Sequence, residues 1–212
     1  MIAVIDYGAG NLFSVRNALD FLGLESEVTR DEKEIRKADG LILPGVGAFP
    51  DAMEMLSKSG LTDTIREEAV KKPFLGICLG MQMLFDKSCE DGEWEGLGFI
   101  PGEVVRFGKE NDPNWDESNK IPHMGWNRLI KNREDAIGNG VDEGEYAYFV
   151  HSYYAVPENW DDVVYYADYS VKVPGVVRRG NVTGMQFHPE KSSDTGMKLL
   201  TNFLKEGEEI AD

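Results

Sequence analysis

The sequence predicts an α/β fold: a largely parallel central sheet flanked by helices, with antiparallel strands added in the C-terminal half. Three observations carry this. Short apolar runs such as MIAVI, LILP and PFLGI alternate with stretches whose apolar residues recur at helical spacing. Glycine-containing turns such as DYGAG stand between them. From about residue 98 the texture changes to shorter extended pieces rich in Val and Tyr. Alternating strands and helices imply a parallel sheet covered on both faces.

The opening strand MIAVI leads through DYGAG into NLFSVRNALDFLGL, where Asn11 is the expected N-cap and Leu12, Val15, Leu19 and Leu22 share a face. SEVT reads as a strand, DEKEIRKA as a short charged helix, and LILP as a buried strand after the turn Asp39-Gly40. Helices follow in PDAMEMLSKSG and LTDTIREEAVKK. PFLGI is the next strand, and GMQMLF, with Met81, Leu84 and Phe85, has helical spacing. FIPGEVVRF, YAYFVHSYYAV, DVVYYADYS and GVVRRGNVTGMQF are the later extended pieces. KENDPNWDESNK and the acidic stretch near 134–145 read as exposed loops, and TGMKLLTNFLKEGEE as a closing helix.

The 212 residues, 42% hydrophobic, suffice for one sizeable core, so a single domain over residues 1–212 is expected. With 38 acidic against 22 basic residues the net charge is −16, which opposes binding to nucleic acid or to an anionic membrane surface. No apolar run approaches the roughly 18 residues of a membrane span, and the N-terminus does not resemble a signal peptide. A cytoplasmic location is expected. Two cysteines, Cys78 and Cys89, make no disulfide framework, and the three histidines are scattered without metal-ligand spacing. Neither a metal nor any other cofactor is expected.

Cys78 stands in Gly76-Ile77-Cys78-Leu79-Gly80, the spacing of a nucleophile elbow with sulfur in place of oxygen. Small flanking residues permit the sharp strand-to-helix turn, and a helix N-terminus favours a thiolate. A structural cysteine between packing glycines fits the pentapeptide equally well. A thiolate nucleophile needs a proton shuttle, and a histidine oriented by a carboxylate is the common solution. GMQFHPEKS offers His188 and Glu190, which alternation puts on one side of an extended chain. The Leu79 N–H and the loop PGVGAF, through Gly45, Val46 and Gly47, are candidate oxyanion donors. Gly8-Ala9-Gly10-Asn11-Leu12-Phe13 lacks the third glycine of a dinucleotide loop and is discounted. His123 and His151, set among aromatics, read as hydrogen-bonded structural histidines.

PGVGAF, GICLGMQ and FHPE, in that order, resemble the class I, Cys-His-Glu glutamine amidotransferases, a flavodoxin-like α/β family. DYGAGNLFSV, IPHMGWN, YFVHSYY and MQFHPEKS narrow the likeness to members that serve as glutaminase subunits in histidine biosynthesis. The resemblance implies that Cys78 attacks the side-chain amide of glutamine, that His188 protonates the departing ammonia, and that Glu190 holds His188. It implies that Gln82, Glu90 and the backbone of Ser152 and Tyr153 hold the α-amino and carboxylate ends of the substrate. It also implies a partner, a (β/α)8 cyclase subunit that receives the ammonia, with Pro122, Met124, Trp126, Tyr148 and Lys191 at or near the interface. Met124 and Trp126 are equally consistent with a core. Amidotransferases of other pathways, an inert flavodoxin-like scaffold and a cysteine peptidase are the competing readings, and IPHMGWN argues against the first and the last. A further expectation is that the PGVG loop leaves the oxyanion site incomplete until the partner binds.

Overall fold

The structure, a computed structural model, describes residues 1–210, so residues 211 and 212 of the expected domain lie outside the described residues. Strand β1 (Ile2–Ile5), helix α1 (Leu12–Phe21), β2 (Ser26–Thr29), α2 (Glu32–Lys37), β3 (Gly40–Gly45), α3 (Phe49–Ser59), α4 (Thr62–Ala69) and β4 (Phe74–Cys78) follow the predicted alternation. Asn11 caps α1, its side chain accepting from the Ser14 N–H at 3.3 Å, and Asp31 caps α2.

A single turn of helix, α5 (Leu79–Gln82), is followed by β5 (Phe85–Ser88), β6 (Trp94–Glu95), β7 (Ile100–Arg106), β8 (His123–Arg128), β9 (Ile130–Lys131), β10 (Tyr146–His151) and β11 (Tyr153–Pro157). The chain then forms β12 (Val163–Asp168), β13 (Lys172–Arg179), β14 (Val182–Met185) and α6 (Ser193–Ile210). The main sheet has the order β2-β1-β3-β4-β14-β13-β12-β9. It is parallel from β2 through β14 and antiparallel from β13 onward. A small sheet β11-β7-β5-β6 and the antiparallel pair β8-β10 are the added pieces.

Alternation along the buried strands divides the core between two faces. Ala3, Ile5, Leu41, Leu43 and Phe74 pack with Ile35, Leu56 and Ile65 of α2, α3 and α4. Ile2, Val4, Ile42, Leu75 and Ile77 pack with Val15 and Leu19 of α1 and Leu200 and Phe203 of α6. Both faces of the sheet are therefore covered, and the C-terminal ends of the parallel strands are left to carry a site.

Four local expectations are corrected. GMQMLF does not continue as a helix: the carbonyls of Met83 and Leu84, needed for further turns, accept instead from Leu97 at 2.8 Å and Phe99 at 2.8 Å, and Phe85 opens a strand. YAYFVHSYYAV is not one extended piece but two, since β10 and β11 join different sheets on either side of Ser152. KENDPNWDESNK has no strand or helix, yet Trp115 is buried against Phe107, ring centroids 5.2 Å apart. Within 134–145, Ile137 and Val141 are buried and Asp135 pairs with Arg133 and Arg178, so that segment is anchored, not merely exposed.

Candidate active site

Cys78 ends β4 with φ 55° and ψ −113°, a conformation unfavourable for a residue bearing a Cβ. The elbow holds because its neighbours are glycines. A Cβ on Gly76 would lie 2.5 Å from the Gly80 carbonyl oxygen, and one on Gly80 would collide with the Leu43 carbonyl. The strand-to-turn-to-strand packing thus reserves no space at these positions. Because α5 is one turn long, it supplies Cys78 with free N–H groups but only a fraction of a full helix dipole.

Cys78, Leu79, Gln82, Glu90, Val46, Gly47, Ser152, Tyr153 and His188 line a cavity of about 380 Å3, together with Pro122, Val150 and His151. Seven of the expected site positions thus come together with Cys78 and His188 around one space. Gly45 is the exception among the oxyanion candidates: it sits across from Cys78 in the β3-β4 register, under Leu79 and Gly80, and does not line the cavity. Gly47 has φ 103° and open space where a side chain would go.

His188 Nδ1 lies 2.8 Å from Glu190 Oε1, and both side chains are buried. The geometry is reached differently from the extended run expected, because Pro189–Lys191 forms a 3-10 turn that folds Glu190 back onto the ring. The His188 backbone is fixed as well, its N–H donating to the Tyr148 carbonyl at 3.2 Å and its carbonyl accepting from Ser192 Oγ at 2.7 Å. Burial disfavours the charged ring, but the neighbouring Cys78 sulfur and the hydrogen-bonded Glu190 carboxylate outweigh it, raising the His188 pKa to about 9. The imidazolium is consequently the prevailing form near neutrality.

Glu90 Oε2 accepts from the Phe49 N–H at 2.7 Å at the start of α3. Partial burial, with Asp91 and Asp51 adding to it, raises its pKa despite that bond. Gln82 donates from Nε2 to the Tyr153 carbonyl at 2.9 Å and to Gln186 Oε1 at 3.1 Å. Both amide protons are engaged, so its Oε1 is the atom left to face a ligand.

His123 and His151 are buried and hydrogen-bonded, as expected, and their tautomers are fixed from one end. The Tyr153 carbonyl can only accept, so His151 Nδ1, 2.7 Å away, donates. His151 Nε2 then accepts from His123 Nδ1 at 3.0 Å, and His123 Nε2 accepts from Asn127 Nδ2 at 2.6 Å. Burial lowers the pKa values to about 3 for His151 and about 4 for His123, so both rings are neutral at ordinary pH. His151 also forms part of the cavity wall, a place the sequence reading had not assigned to it.

Of the expected interface residues, Pro122 lines the cavity while the other four lie outside it. Met124 and Trp126 are 60% and 51% exposed, which removes their alternative placement in a core. They alternate outward on β8, and Trp126 meets Tyr148 across the pair, ring centroids 5.9 Å apart. Trp126 and Lys191 line a surface groove with Phe21 and Met197, and Phe21 and nearby Phe13 of α1 are also exposed.

Gln186 and His151 are the site residues that the sequence reading missed. The period of two that places Gln186 on the same side as His188 is the signal that marks the first; nothing in the local sequence marks the second.

A cysteine on a strained elbow, a charged histidine held by a carboxylate and a cavity beside them define a site suited to acyl transfer at sulfur. The chain belongs to the class-I glutamine amidotransferase family, whose model matches residues 3–206. It is 51% identical to imidazole glycerol phosphate synthase subunit HisH of Bacillus cereus, over 96% of this chain and 93% of that protein. It is 54% identical to the HisH subunit of Geobacillus thermodenitrificans, over 96% and 95% respectively. Among solved structures, one described as a glutamine amidotransferase superposes with a TM-score of 0.75 at 21% identity, covering 98% of each chain. PurLQS from Thermotoga maritima superposes with a TM-score of 0.73 at 22% identity, covering 96% of this chain and 97% of that one. At those identities the likeness speaks for the fold.

Proposed function

We propose that this chain is the glutaminase subunit of an imidazole glycerol phosphate synthase, acting as a single domain in the cytoplasm. Its reading rests above all on one observation: Cys78 and the Glu190-held His188 border the same cavity as Gln82, Glu90 and the Ser152–Tyr153 backbone. The 51% and 54% identity to HisH subunits over nearly the whole chain supports the pathway.

In this reading the Cys78 thiolate adds to the side-chain amide carbon of glutamine, and the new oxyanion is received by the Leu79 N–H and the backbone around Val46 and Gly47. Protonated His188 gives its proton to the departing nitrogen, and the C–N bond breaks to release ammonia and leave a γ-glutamyl thioester. Neutral His188 then takes a proton from water as it attacks the thioester carbon, and collapse expels the Cys78 thiolate and frees glutamate. Glu190 holds the ring through both steps. Gln82 Oε1 and the Glu90 carboxylate face the substrate ammonium, while the Ser152 and Tyr153 backbone serves its carboxylate.

Ammonia passes to a (β/α)8 cyclase subunit, which uses it to make imidazole glycerol phosphate and aminoimidazole carboxamide ribotide. Met124, Trp126, Tyr148 and Lys191 supply the docking face, in which the exposed apolar side chains of Met124 and Trp126 stand out on a strongly acidic protein. The cavity wall reaches the same region through Pro122. A glutamine analogue bearing an electrophilic carbon, followed by peptide mass mapping, tests the nucleophile: one adduct on Cys78, none on Cys89, and none in Cys78→Ala are expected. Turnover undiminished in Cys78→Ala contradicts the mechanism.

A further inference from the structure

One buried amide next to the elbow has no place in the steps above. Gln186 is fully buried just beyond β14, its backbone N–H donating to the Gly175 carbonyl at 2.9 Å. The direction of its side chain follows from the chain of bonds behind it. The Tyr153 carbonyl accepts only, so the end of Gln82 lying 2.9 Å from it is Nε2. The same Nε2 lies 3.1 Å from Gln186, which must therefore offer its Oε1 there and turn its own Nε2 the other way. In that direction stands Cys78 Sγ at 4.0 Å.

We propose that Gln186 is a further catalytic residue: its Nε2–H group donates to the Cys78 sulfur and steadies the thiolate before attack and after thioester breakdown. The inference rests on the reading of Cys78 as the nucleophile. A separation of 4.0 Å is long for a neutral thiol, a weak acceptor, whereas a sulfur with full negative charge draws a donor inward. A buried amide is costly unless both its ends are used, and here they are, one toward Gln82 and one toward Cys78. The same bond fixes Gln82 with its Oε1 toward the cavity, so one residue serves both the sulfur and the substrate side.

The test uses the full chain in three forms: unmodified, Gln186→Met and Gln186→Glu. The rate of iodoacetamide alkylation at Cys78 is followed against pH by peptide mass mapping, with thermal unfolding to count the folded fraction. In Gln186→Met the pH of half-maximal rate rises by about one unit, the scale of one lost hydrogen bond to a charged group. In Gln186→Glu it rises further, because a carboxylate then faces the sulfur. A profile that stays in place in folded variants overturns the proposal and leaves Gln186 only its bond to Gln82. If Cys78 of the unmodified chain alkylates no faster than Cys89, the nucleophile reading itself fails. The unmodified protein supplies a second readout independent of folding in the variants: the Gln186 side-chain amide nitrogen resonance shifts in step with sulfur ionisation. A resonance indifferent to that ionisation also overturns the proposal.

Discussion

The elbow at Cys78 and the loop after β3 lie side by side, Gly45 opposite Cys78 in the parallel register, yet they are built in opposite ways. Around Cys78 there is no spare room: Gly76, Gly80 and Gly45 are each pressed against backbone, and His188 is tied at its ring, its N–H and its carbonyl. Two residues further along the loop, Gly47 has a left-handed φ and open space around it, and Val46 is half exposed. Cys78, His188 and the Leu79 N–H are held in one arrangement, while the other backbone proposed to receive the oxyanion, around Val46 and Gly47, has open space beside it. From this difference we propose that control of such a site acts in the loop, where a glycine lets peptide planes rotate at low cost, and not at the sulfur.

The largest effect comes from breaking the rigid side. Gly80→Ala forces a methyl group into the Leu43 carbonyl, so glutamine turnover is essentially lost and urea unfolding shows a destabilisation of about 3 kcal/mol, the scale of severe overpacking. Unchanged stability and turnover in that variant would mean the elbow is as adaptable as the loop.

Next comes the charge that the rigid side maintains. With its pKa raised to about 9, His188 keeps up to that pH the proton it is proposed to give to ammonia, so the kcat/KM profile loses activity on an alkaline limb near 9. Glu190→Gln removes one of the two groups that favour the imidazolium. The limb then moves down toward the ordinary histidine value near 6.5, and kcat falls by roughly 100- to 10,000-fold. The sign is set by the charge of the carboxylate: losing an anion lowers a cation's pKa. The same raised value means that His188 stabilises the fold fully below about 6.5 and ceases to do so as pH rises through about 9.

The smallest effect belongs to the loop. Gly47→Ala meets no atom, and its cost is the backbone strain of a left-handed φ, about 1 kcal/mol. Stability falls by that amount and the KM for glutamine barely changes, while the stimulation of kcat by the cyclase falls several-fold. Equal losses in basal and stimulated rates would show that the loop does not gate the site.

The parallel half was the more legible part of the sequence because its signals are local. Buried strands read as apolar runs, Asn11 marks a helix start, and glycines flank the elbow cysteine. Catalytic candidates were legible for the same reason, since Cys78 and the His188–Glu190 pair sit in short motifs. What failed depended on distant partners. Helical spacing in GMQMLF was overridden by the Leu97 and Phe99 N–H groups, and Trp115 was buried by Phe107 and Tyr169, residues from other segments. Glu190 reached His188 through a 3-10 turn that alternation does not describe, and the buried relay through Gln186 required strands far apart in sequence to meet.

The most direct measurement is glutamine hydrolysis by the pure chain, alone and with a cyclase subunit plus its ribotide substrate. A low rate alone that rises strongly with both together is the predicted result, as a fixed nucleophile beside an adjustable oxyanion loop requires. A high rate that ignores the cyclase would contradict loop control and the histidine-pathway assignment together, and no hydrolysis under either condition would return Cys78 to a structural role.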